Sequence, residues 1–306
     1  MKFLKFLVAV LSVFTLFVFA LGFLQKEEIL DTVIDYYNKI PTTLNNNEYT
    51  KEVDVDFVKL TDDFIANNKD ELINIYYTII SSGMQEFTFY CDNGYKECLK
   101  DVEAINNDST LLSQINNFVN VFNSFKSIKT TYTNYGKVTL SINRIYKRDD
   151  IKNINDKIDS IFDTIVDKEK NDYDNILAIH DYIINTTKYD IESENNPYSN
   201  ASTAIGVLFD NKATCNGYTD TMSIFLDRLN IKNVKISNDT HIWNLVYINN
   251  KWLNLDVTWD DPVNDLNRDM LLHEYFLKTR EEFNKIDSLN PKNKHVYDEA
   301  IYNFID

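Results

Sequence analysis

His241-Ile242-Trp243-Asn244-Leu245-Val246-Tyr247-Ile248-Asn249-Asn250-Lys251-Trp252-Leu253-Asn254-Leu255-Asp256-Val257-Thr258 is two alternating runs, 241–248 and 252–258, around an Asn-Asn pair. Such a pair suits a tight turn with positive φ, so the stretch predicts a β-hairpin. With Asn249 and Asn250 as the loop, Ile248 faces Lys251, Trp243 faces Asp256 and His241 faces Thr258. His241 and Asp256 then share one face as diagonal neighbours, with Cβ atoms about 7–8 Å apart or less, within reach of a His–Asp hydrogen bond. A one-residue slip would put them on opposite faces, so the pairing depends on this turn.

Upstream, Lys212-Ala213-Thr214-Cys215-Asn216-Gly217-Tyr218 opens a different pattern. Met222, Phe225, Leu226 and Leu229 recur at helical spacing until about Asn230, which places Cys215 at a helix N-terminus. Unpaired N–H groups and a partial positive charge collect there and favour negative charge developing on sulfur or oxygen. The Cys215 backbone N–H is thus a natural oxyanion donor, and Gly217 leaves room for close backbone packing or substrate approach. A cysteine nucleophile, a histidine base and a carboxylate that fixes the base's tautomer make an enzyme working through an acyl-thioester: Cys215, His241 and Asp256 in those roles.

The pattern Cys215-Asn216-Gly217-Tyr218, then His241-x-Trp243-Asn244, then Trp252-x-x-x-Asp256-x-Thr258-Trp259-Asp260 resembles the transglutaminase-like superfamily of papain-type cysteine enzymes, in particular its bacterial members. The likeness runs from about Tyr173 to Pro262. It implies an α+β fold: a papain/transglutaminase-like core in which the helix bearing the cysteine packs on an antiparallel sheet bearing His and Asp. It also implies Cys215, His241 and Asp256 as the catalytic set and leaves a calcium requirement open; from the residues themselves no cofactor is expected. Ile179-His180-Asp181-Tyr182 and Tyr189-Asp190 resemble the helix and Tyr-Asp that precede the nucleophile in these relatives, which makes Tyr189 a candidate for oxyanion or substrate contact. Trp243, on the His241 face, is a candidate to shield the cleft. His180 reads as a core or boundary histidine on an apolar helical stretch. Asp260 and Asp261 before Pro262 read as an Asx-type turn. The large β-sandwich domains and calcium sites of animal transglutaminases have no counterpart after residue 262.

Lys2 and Lys5 precede an uncharged apolar run from Phe6 to Leu24, which predicts a secretory signal or a membrane anchor at 1–24 with the bulk of the chain outside. Cys91 and Cys98 bracket a turn-rich loop and read either as a small disulfide, in keeping with export, or as two reduced thiols. Their spacing is not that of a zinc site, and four scattered histidines suggest no metal. The formal charge of −16 excludes a nucleic-acid partner. The expected partners are a protein or peptide substrate, cell-wall peptide included, and the membrane through residues 1–24. With 44% hydrophobic residues, the chain holds enough apolar mass for a packed core.

Residues 25–51, with Asn45-Asn46-Asn47, read as a linker. A small α/β region follows at 52–150: a helix over 62–81, a strand over 86–90, a helix over 99–127 and a strand over 137–142. Tyr132, Tyr135 and Tyr146 read as packing residues there. The catalytic domain spans 151–306, with a helix over 270–283 and Tyr302-Asn303-Phe304 as a closing strand. The function implied is a cysteine acyltransferase or peptidase/amidase. The alternative is an inactive module of the same fold that binds peptide or a cell-wall ligand.

Overall fold

The computed structural model describes residues 14–18, 22, 43–53, 55–262, 270–289 and 295–305. The expected anchor at 1–24 therefore lies largely outside the described residues, and among those described no helix is long and apolar enough to cross a membrane.

The first half is built on a four-stranded sheet, β1 (Ile65–Ala66), β2 (Glu86–Cys91), β3 (Phe125–Tyr132) and β4 (Lys137–Arg144), in the order β1-β2-β4-β3. In β2 the alternation puts Phe87 and Phe89 into the core. Helix α1 (Lys69–Ser81) is shorter than the stretch the periodicity suggests, because Asn68 caps it by accepting the Glu71 N–H at 2.9 Å and residues 62–68 hold β1.

The single helix expected over 99–127 is instead α2 (Cys98–Asn107) and α3 (Ser109–Asn117). Asp108 divides them by accepting the Leu111 N–H at 2.9 Å as the cap of α3. Beyond α3 the chain turns into β3, which sequence pattern missed because this edge strand has no clean inside–outside alternation. Tyr132 and Tyr135 project into solvent from the same edge, whereas Tyr146 is buried; of the three only the last packs as expected. Cys91 and Cys98 are disulfide-bonded, with Cα atoms 5.9 Å apart.

The second half contains α4 (Arg148–Ile165), α5 (Asp172–Thr186), a parallel pair β5 (Lys188–Tyr189) and β6 (Lys212–Ala213), α6 (Cys215–Arg228), and an antiparallel sheet β7 (Asn233–Ser237), β8 (Ile242–Ile248), β9 (Lys251–Leu255). The hairpin register is the expected one: Ile248 pairs Lys251, Asn244 pairs Leu255, and Asn249 and Asn250 turn at φ 53° and 62°.

This sheet contributes to two hydrophobic cores. Val246, Ile248 and Leu255 join Met222 and Phe225 of α6, while Val234, Ile236, Trp243 and Leu245 join α1, α3 and the first sheet. Asn244 Nδ2 ties the sheet to α6 by donating to Ser223 Oγ at 2.8 Å and to the Thr219 carbonyl at 3.2 Å. A buried ion pair, Lys235 Nζ to Asp220 Oδ1 at 3.0 Å, crosses the same contact, and the Tyr146 hydroxyl donates to Asp220 Oδ2 at 2.7 Å. Residues 43–51, read as linker, are docked: Asn47 exchanges amide hydrogen bonds with Asn123, and Lys51 Nζ lies 3.1 Å from Asp227.

After residue 262 two expectations fail. The helix expected over 270–283 is irregular chain, turning at 274–277, until Thr279, where a reciprocal Thr279–Glu282 cap starts α7 (Arg280–Leu289). This stretch is held by the open edge of β9: Asn254 and Lys278 exchange backbone hydrogen bonds at 2.7 and 2.9 Å, and the Asp256 N–H donates to the Tyr275 carbonyl at 3.0 Å. Backbone groups on that edge need partners, and satisfying them outweighs the helical periodicity. Tyr302-Asn303-Phe304 forms a turn instead of a strand, with the buried Tyr302 hydroxyl donating to Gln114 Oε1 at 2.7 Å.

Candidate active site

Cys215 is the first residue of α6 and a free, half-buried thiol. Thr214 precedes it without capping the helix through its side chain, so the leading N–H groups are not consumed by a cap. Gly217 packs the first turn against residues 201–203, since a Cβ there would stand 2.4 Å from the Ala201 carbonyl oxygen. Its use is close packing beneath Cys215.

His241 sits one residue before β8. Asn238 holds it there: its side-chain oxygen accepts the Thr240 and His241 N–H groups at 3.0 and 2.9 Å. The ring donates from Nε2 to Asp256 Oδ2 at 2.5 Å and stacks on Trp243, with centroids 5.8 Å apart and planes 14° apart. Its side chain is 14% exposed. Burial pulls the imidazole's pKa down, but the Asp256 charge and hydrogen bond, helped by a hydrogen bond with Cys215, overcome this and raise it to about 10. With Nε2 committed to Asp256, Nδ1 is the nitrogen left for the Cys215 sulfur.

Asp256 lies one residue past β9 with every acceptor position used. Oδ1 takes the N–H groups of Thr258 and Trp259 at 2.9 and 3.1 Å, and Oδ2 takes Nε2–H of both His241 and His295, the latter at 2.9 Å. Burial opposes the ionised form, yet the His241 charge and these hydrogen bonds hold the carboxyl well below the usual range.

His295 was not legible as a site residue. It is buried, its Nδ1 lies 3.0 Å from Asp287 Oδ1, and Asp287 also accepts the His295 N–H at 2.7 Å. Both ring nitrogens face carboxylates, which only accept, an arrangement that favours the protonated ring. Burial disfavours that charge, and Asp256 and Asp287 together raise the pKa above its ordinary value. The result is a chain of contacts, Asp287 to His295 to Asp256 to His241, with Cys215 beside His241; Asp287 comes from α7 and His295 from the chain beyond it.

Tyr189 lies close enough for the Cys215 charge to act on it: burial first, then that charge, then Glu194, which accepts its hydroxyl at 3.3 Å, raise its pKa. Trp243 is fully buried and donates Nε1–H to Asn254 Oδ1 at 2.9 Å, so it backs His241 from the core side. The Asx-type turn expected at Asp260 belongs to Asp256 instead. Asp260 Oδ1 accepts the Tyr275 N–H at 3.0 Å, and Asp261 Oδ2 accepts the Tyr218 hydroxyl at 2.5 Å. Nor are the four histidines scattered. They fall into two groups, His241–Asp256–His295 and His180–Asp181–His273, each with donor atoms within 4.8 Å of one another. His180, expected in the core or at its boundary, is fully buried.

Residues 159–257 match the model of the family described as the transglutaminase-like superfamily. Two solved structures align with the chain. One is described as a TGase, at 18% identity, covering 47% of this chain and 47% of that one with a TM-score of 0.34. The other is a protein of Cytophaga hutchinsonii provisionally described as a cysteine protease, at 16% identity, covering 47% of this chain and 64% of that one with a TM-score of 0.29. The chain thus spans about half to two thirds of the length of these structures. A comparison with curated proteins gave no match.

Proposed function

We propose that the transglutaminase-like domain at residues 159–257 forms an acyl-thioester on Cys215 from a protein or peptide amide and passes the acyl group to an amine or to water. The observation that carries this reading is the ordered set itself: Cys215 at the start of α6, near enough to act on the charge of a His241 whose far nitrogen is fixed by Asp256.

His241 holds the proton displaced from sulfur as an imidazolium, stabilised by Asp256. The sulfur attacks the amide carbonyl carbon, and negative charge moves onto the carbonyl oxygen, opposite the Cys215 N–H at the helix N-terminus. As the tetrahedral centre collapses, the C–N bond breaks and His241 Nδ1 gives its proton to the departing amine. An amine or water then attacks the thioester carbon, His241 takes the incoming proton, and the C–S bond breaks to restore the sulfur. Amine attack makes a new amide and water makes an acid, so the two outcomes differ only in the second nucleophile.

The disulfide between Cys91 and Cys98 and the apolar run 6–24 support action outside the cytoplasm, with residues 1–24 as signal or anchor. The test is mass spectrometry of the intact protein after exposure to peptide amides with and without a primary amine. An acyl adduct on Cys215, absent from Cys215→Ala and lost slowly from His241→Ala, supports the reading. Unmodified Cys215 with a peptide that nonetheless binds would replace it with the inactive binding module.

A further inference from the structure

We propose that His180, Asp181 and His273 form a binding site for one divalent transition-metal ion of the zinc class, separate from the Cys215 site and independent of its chemistry. His180 and Asp181 are neighbours on α5, and His273 arrives from the stretch that follows β9. Asp181 Oδ1 lies 3.0 Å from His180 Nδ1 and 2.7 Å from His273 Nε2, and the three donor atoms lie within 4.8 Å of one another.

The second observation concerns the far side of His180. Its Nε2 faces Asp260 Oδ2 at 3.2 Å, and both side chains are completely buried. A carboxylate accepting the outer N–H of a ligating histidine fixes the tautomer that turns the other nitrogen's lone pair to the ion. Here that nitrogen is Nδ1, and it points at a carboxylate oxygen, an arrangement that needs either a second proton on a wholly buried ring or a cation between the two atoms. Phe276 packs edge-on against both His180 and His273, giving the group an apolar wall. On the other side, Asp181 and His273 are 34% and 44% exposed, which provides an entry path and open coordination positions for water.

Two imidazoles and one carboxylate select zinc, cobalt or a similar ion over calcium or magnesium, which prefer an all-oxygen set. The bound ion would pin α5 to the stretch that holds Asp256, since Tyr275, two residues from His273, accepts the Asp256 N–H. Its role would be structural.

The test is titration of the full chain with Zn(II) and with Co(II), followed by calorimetry and thermal unfolding. It uses a Cys215→Ser background so that the active-site thiol offers no competing ligand. One equivalent bound, with a raised Tm, is expected. Binding should weaken by at least about tenfold in His273→Ala and in Asp181→Asn, both partly exposed positions whose replacement leaves the core intact. No binding, or binding that His273→Ala leaves unchanged, overturns the proposal and makes the group an imidazolium held between two carboxylates.

Discussion

Replacing Asp256 with Asn removes one charge beneath His241 and keeps a side chain of nearly the same shape. Raising the imidazole from 6.5 to about 10 corresponds at pH 7 to a net native-state stabilisation on the order of 4 kcal/mol, left after burial has opposed the charge and Asp256, with Cys215, has favoured it. Because the folded value is raised, that contribution is complete below 6.5 and is lost as the pH rises through about 10. Asp256 is held below the ordinary carboxylate value of 3.8, so the same contact is also lost as the pH falls below the carboxylate range. In Asp256→Asn the charge that chiefly offsets burial is gone and only the Cys215 contact still favours the imidazolium, so His241 should titrate well below its wild-type value. The amide nitrogen also cannot accept, so some of the donors around residue 256 lose their acceptor. The assay is NMR titration of the histidine Cε1 protons, four in all and assignable by single substitutions, with urea unfolding at pH 7 beside it. Activity toward a peptide amide should fall by about 10³–10⁴-fold. A wild-type His241 titrating near 6.5, or one whose titration Asp256→Asn does not move, would refute the charge-pair argument.

His295→Ala leaves Asp287 without its buried partner and removes one donor from Asp256; a loss of about 1–3 kcal/mol in urea unfolding is expected, with slower acylation of Cys215. Lys235→Met strips Asp220 of its buried counter-charge and should cost about 3–5 kcal/mol by the same measurement; an unchanged midpoint would show that Tyr146 alone satisfies the carboxylate. Reduction of the Cys91–Cys98 disulfide reopens a short loop worth about 2.5 kcal/mol of unfolded-state entropy, and differential scanning calorimetry with and without reductant should show Tm falling by about 5 °C.

The hairpin was legible because two signals agreed, the period-two alternation and the Asn-Asn turn, and together they fix the register that brings His241 near Asp256. Helix α6 was legible from its apolar spacing, which put Cys215 at its start. Where local pattern and tertiary need diverge, the reading fails. β3 is an edge strand whose exposed residues carry no alternation, and 270–279 looks helical but pairs with the open edge of β9. His295 stands 39 residues after Asp256, so only the folded chain shows that Asp256 is held by a second histidine. The pairing of His180 with Asp260 was hidden for the same reason, with 80 residues between two side chains that touch.

The sheet β7–β9 is a party wall. Trp243, which backs His241, belongs to the same core as the residues of α1, α3 and the first sheet, so the two halves of the chain have been fitted to one another across this partition. Anyone grafting this C-terminal half onto another N-terminal region, or trading that region between relatives, would be rebuilding the room next door and shifting the wall. A successful chimera must reproduce the apolar relief that meets Val234, Ile236, Trp243 and Leu245, and a failed one should show its fault first in the alignment of His241.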